Sequence, residues 1–86
     1  MIPLVRHART EALDRLEPLL AQVRELGGLQ ERSRGVFYRS SRAFLHFHED
    51  GDDLYADVRF GDDFERLRVT SPPEQAEVLE HIRTTM

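Results

Sequence analysis

The chain has 86 residues, a net charge of −4, 33% charged side chains and no cysteine. That length supports one core and buries a modest fraction of the chain's surface on folding. The missing cysteines exclude disulfide stapling, thiolate zinc sites and thiol catalysis. These bounds predict a single cytoplasmic domain over residues 1–86, paired as a homodimer because small cores recruit a partner to make up their deficit.

Every basic residue is an arginine, and they are unevenly spread: residues 1–48 carry eight against five acids, residues 49–86 four against eleven. Such asymmetry can guide two copies, or another protein, into register. The net acidity makes nucleic acid an unfavoured partner, since duplex affinity rests on neutralising phosphates. The opening Met1-Ile2-Pro3-Leu4-Val5-Arg6-His7 lacks the long apolar run of a signal peptide or membrane span, so no membrane attachment is expected.

From Val5 to Leu26, apolar residues recur at Val5, Ala8, Ala12, Leu16, Leu19, Leu20, Val23 and Leu26, the three-and-four spacing of one helical stripe. Pro18 interrupts it, because a proline inside a helix removes a donor and crowds the preceding turn. The pattern is compatible with one kinked helix or with a helix pair whose second member starts at Pro18. Gly27-Gly28 supplies the stop.

Between Gly35 and Val69 the period changes to two, punctuated by Ser40-Ser41, Asp50-Gly51-Asp52-Asp53 and Gly61-Asp62-Asp63. This predicts an antiparallel β-meander of three to four strands. Its core face takes Ala43, Leu45 and Phe47 from one strand, Leu54, Ala56, Val58 and Phe60 from the next, and Leu67 and Val69 beyond. Ser71-Pro72-Pro73-Glu74 is a capping box with prolines in the tolerant first turn, so a helix is expected from Pro72 to about Thr84. Its stripe is Ala76, Leu79, Ile82 and Met86, with Val78 at the margin, and it packs on one sheet face. The fold class is therefore α+β.

Alternation places Phe44, His46, His48, Tyr55, Asp57, Arg59, Arg66 and Arg68 on the opposite face. A first hairpin closed through Asp50 to Asp53 sets His46 opposite Asp57 and His48 opposite Tyr55. A second closed at Gly61-Asp62 sets Asp57 opposite Arg66 and Tyr55 opposite Arg68. A turn at Asp50-Gly51 would slip the first pairing by two residues.

Three chemistries compete for that face. Aromatic and arginine side chains with matched acids suit a protein interface. His46 and His48 are the candidates for a metal, with a carboxylate as third ligand. His46 backed by Asp57 has the form of a general base, but Ser40 and Ser41 lack a nucleophile elbow, so no catalytic residue is assigned. Arg32, Arg34, Arg39 and Arg42, interleaved with Phe37 and Tyr38, have the makings of a single-strand or RNA patch. The acidic tips lack the ordered ligand pattern of a calcium loop.

The run Gly35-Val36-Phe37-Tyr38-Arg39-Ser40-Ser41-Arg42-Ala43-Phe44-Leu45-His46-Phe47-His48-Glu49-Asp50, with Leu54-Tyr55-Ala56-Asp57-Val58-Arg59, resembles a family of short bacterial hypothetical proteins without an assigned activity. The likeness covers roughly the C-terminal two thirds. It implies a helix, meander, helix fold and transfers no site. The expectation is a non-enzymatic protein that self-associates or binds a partner through Phe44, His46, His48, Tyr55, Asp57, Arg66 and Arg68 or through a strand edge, with no cofactor. A metal- or ligand-binding protein, or an enzyme, using His46, His48 and Asp57 is the alternative, and RNA binding through the four arginines a further one.

Overall fold

The structure, a computed structural model, describes residues 5–86; the first four, part of the opening stretch read above, lie outside them. The elements in order are β1 (Arg6–His7), α1 (Thr10–Glu25), β2 (Gln30–Ser33), β3 (Val36–Arg39), β4 (Arg42–Asp50), β5 (Asp53–Arg59), β6 (Phe64–Arg68) and α2 (Pro72–Thr85). The expected α+β class holds. The meander has five strands, in the order β2-β3-β4-β5-β6, rather than three or four. The missed strand is β2, whose Gln-Glu-Arg-Ser sequence has no apolar alternation to betray it. It exists because it pairs with β3.

The first helix starts later than its apolar stripe. Arg6 and His7 leave it to pair with Glu49 and His48 along the half of β4 that β3 does not cover, and the Ala8 amide donates to the Phe47 carbonyl at 3.0 Å. Helix α1 then begins without a cap from its own N-cap residue, Arg9. The Glu49 carboxylate substitutes, accepting from the Arg9 amide at 2.7 Å. An acid at that end also answers the helix dipole. Pro18 does not divide the helix, which runs unbroken from Thr10 to Glu25. The proline is on the exposed side, where water can satisfy the carbonyl it leaves unpaired. Gly27, with φ of +73°, makes the left-handed stop.

Ala12, Leu16, Leu19, Leu20 and Val23 of α1 form one core with Phe37, Leu45, Phe47, Leu54, Ala56, Val58 and Val69 of the sheet region and Val78, Leu79 and Ile82 of α2. Helix α2 carries the predicted capping box, Ser71 and Glu74 bonding reciprocally. It is rotated from the predicted stripe: Val78 is buried and Ala76 is exposed. Phe60 is only partly buried and stacks on His81, ring centroids 4.2 Å apart. Gly35, with φ of +78°, brings the β2–β3 turn so close to α1 that a Cβ there would stand 2.8 Å from Leu13.

The hairpins take the first of the two expected pairings, without the two-residue slip. His46 faces Asp57, His48 faces Tyr55 and Asp50 faces Asp53; Asp57 faces Arg66 and Tyr55 faces Arg68. With both helices committed to the core face, the rows His7-His48-Tyr55-Arg68 and His46-Asp57-Arg66 lie side by side on the other.

Candidate functional site

Strand β4 is the spine of the site. Its alternation sends Leu45 and Phe47 into the core and His46 and His48 to the far face. Register then delivers Asp57 from β5 and Arg66 from β6 beside them. The addition that spacing alone cannot reveal is His7, brought from the far end of the chain by β1. Its ring centroid lies 4.6 Å from that of His48 and 6.0 Å from that of His46. One ring nitrogen from each of His7, His46 and His48 falls within 4.8 Å of the other two.

The far face is not a simple polar surface washed by water. His48 and Asp57 are 9% and 8% exposed. The Asp57 carboxylate accepts a forked pair of hydrogen bonds from Arg66, Nε to Oδ1 at 2.8 Å and Nη2 to Oδ2 at 3.0 Å. Its Oδ2 is also 3.1 Å from His48 Nε2, and that nitrogen is 3.1 Å from His46 Nδ1. The other ring nitrogen of His48, Nδ1, is buried without a hydrogen-bond partner among the described residues. A buried polar atom left so is costly. A proton on Nε2 serves Asp57 and leaves Nδ1 a stranded lone pair; a proton on Nδ1 instead opens the Nε2 lone pair toward His46 and Oδ2.

Electrostatics keep His46 and His48 unprotonated. Burial is the main influence on His46 and on His48 and lowers both pKa values, with Asp57 only partly opposing it. Both imidazoles are therefore neutral near pH 7. Burial pushes the Asp57 carboxyl up, but the hydrogen bonds and charge of Arg66 outweigh it and, with the imidazoles, hold it below its ordinary range. The resulting set is two neutral, desolvated imidazoles, a third more exposed one and a carboxylate.

The other expected site residues divide. Tyr55 lies half-buried next to His48 in register. Arg68 is held at the sheet margin by Asp53 at 2.7 Å and Glu74 at 3.3 Å, away from the imidazoles. Phe44, expected among the open residues of this face, is 3% exposed. It belongs to the hydrophobic core cluster, with Arg39 over its ring at 5.9 Å from the centroid. Phe64, which packs edge-on against His46 at 4.8 Å, takes its place in the site. Phe64 shares the parity of Arg66 and Arg68 on β6 and pairs with Arg59, which puts it on this face.

The arginine patch does not assemble as an RNA platform would. Phe37 is buried in the core, so it cannot stack a base. Arg34 is paired with Asp14 at 2.8 Å and Glu17 at 3.5 Å on α1, and Arg32 lies 3.9 Å over the Tyr38 ring. Among the described residues, no helix is long and apolar enough to cross a membrane. Comparison with family models, with curated proteins and with solved structures gave no match, so the chemistry of the site rests on its own geometry.

Proposed function

We propose that the protein binds a divalent transition-metal ion through His7, His46 and His48, without catalysing a reaction. The observation that carries this reading is the convergence of three imidazoles from two strands within 4.8 Å. Burial supports it by keeping His46 and His48 unprotonated, the state in which imidazole ligates. Imidazole nitrogens favour zinc, copper, nickel, cobalt or iron over magnesium and calcium, which prefer all-oxygen shells. Titration calorimetry with zinc and with nickel on the purified chain is the test. Saturable binding is expected, and His7→Ala and His48→Ala should each weaken it by at least tenfold. A wild-type chain that takes up neither ion removes the reading.

Self-association is a second reading, supported by one feature of β6. That strand ends the sheet path, and its Phe64 is 37% exposed, one of two large hydrophobic residues so open among those described. An edge strand with an exposed aromatic is a ready surface for a second copy of this chain. Sedimentation at micromolar concentration should give a dimer that Phe64→Ser converts to monomer. A monomeric wild type under those conditions ends this reading.

A further inference from the structure

Resting on the metal reading, we infer that Asp57 is the fourth donor of the site and that Arg66 competes with the ion for its carboxylate. In a tetrahedral zinc shell with metal–nitrogen bonds of about 2.0–2.1 Å, ligand atoms lie roughly 3.3 Å apart. His46 Nδ1 to His48 Nε2 and His48 Nε2 to Asp57 Oδ2 are both 3.1 Å. Each of these two pairs is thus at nearly the spacing of neighbouring donors in a coordination shell, and Asp57 Oδ2 adjoins the His7, His46 and His48 cluster through His48. The register His46↔Asp57↔Arg66 means that this carboxylate is delivered by the same two hairpins that present the imidazole.

Arg66 occupies the same oxygen. Its Nη2 is 3.0 Å from Oδ2, while Nε holds Oδ1. An incoming dication meets a carboxylate already neutralised by a guanidinium, so capture must loosen the Nη2 contact. Arg66 can yield because it is the exposed partner: its side chain is 44% exposed against 11% for Asp57. The pair then works as a charge reserve. Without metal, Arg66 keeps the buried carboxylate partnered; with metal, the ion takes over one oxygen and the guanidinium retains the other.

Cobalt(II) is the probe, because its visible absorption bands strengthen when four ligands surround it tetrahedrally. The wild type should show those bands. Asp57→Asn should weaken binding at least tenfold and flatten the spectrum. Arg66→Gln should tighten binding severalfold with the spectrum kept. Arg68→Gln, which removes the same charge two residues along β6, should leave affinity unchanged. A wild type that binds cobalt while Asp57→Asn matches it in affinity and spectrum overturns the fourth-donor assignment alone. An equal gain from Arg66→Gln and Arg68→Gln, or no gain from Arg66→Gln, overturns the competition. No cobalt binding by the wild type overturns the metal reading with it. Should Asp57→Asn fail to fold, judged by circular dichroism, the two arginine variants still decide.

Discussion

Single side chains hold distant parts of this small protein together, and Glu31 does so away from the histidine cluster. It accepts from Arg24 Nε at 2.6 Å and Nη2 at 3.0 Å and from the Gly35 amide at 2.9 Å. One carboxylate therefore ties α1 to β2 and to the turn that follows. Arg24 first, then the Gly35 amide, hold its pKa below the ordinary range against the opposing effect of burial. A carboxylate depressed in the folded state stabilises the fold above its unfolded pKa, about 4.3. As pH falls, the unfolded chain takes the proton first, so that stabilisation drains away until the folded value is passed. Denaturant titrations should show stability dropping as pH falls below about 5, with Glu31→Gln costing about 1 kcal/mol at pH 7 and flattening that drop. A slope unchanged in the variant would assign the acid sensitivity to other carboxylates.

At the scale of elements, turns and caps decide where the strands and helices stop. The β3–β4 hairpin closes through Ser40 and Ser41 alone, since Arg39 faces Arg42. Both serines have positive φ, 50° and 68°. Right-handed strand twist wants such a two-residue turn, and it ordinarily recruits asparagine and glycine. Serine pays for the left-handed backbone with steric strain at Cβ. Ser41→Gly should therefore stabilise the protein by up to about 1 kcal/mol, read as a raised urea midpoint at unchanged slope. A loss of stability would mean that the serine side chain compensates for its backbone. Helix α1 shows the complementary case, because its N-terminus is capped by a strand residue, Glu49, which no local pattern could assign.

For the whole molecule, size makes ligand binding consequential. A chain of 86 residues has a small margin between buried surface and lost entropy. An ion held only by the native state at 100 times its dissociation constant adds about 2.7 kcal/mol, a rise in melting temperature on the order of 10 °C for a domain this small. Saturating zinc should produce a shift of that order and chelation should reverse it. The ion would also bind the N-terminal segment to the sheet, because His7 belongs to β1 while the other imidazoles belong to β4.

Much of this was legible from residues alone where the governing interactions are local. The Ser71–Glu74 capping box, the glycine stop after α1 and the alternation of β4 and β5 depend on neighbours within a turn or a pleat, so their residues encode them directly. The registers were legible only to a choice, since a turn at Asp50-Gly51 would have slipped the first hairpin by two residues with the faces kept, and the structure has Asp50 opposite Asp53. Tertiary structure decided what depends on distant partners: β1 and β2 exist because another strand accepts them, Pro18 is tolerated because its face of α1 meets water, and Phe44 is buried as part of the hydrophobic core cluster. It also decided the site. Alternation put His46, His48, Asp57 and Arg66 on one face, but His7 joined them only through strand pairing across the length of the chain, and pairing at that distance has no period for a sequence to display.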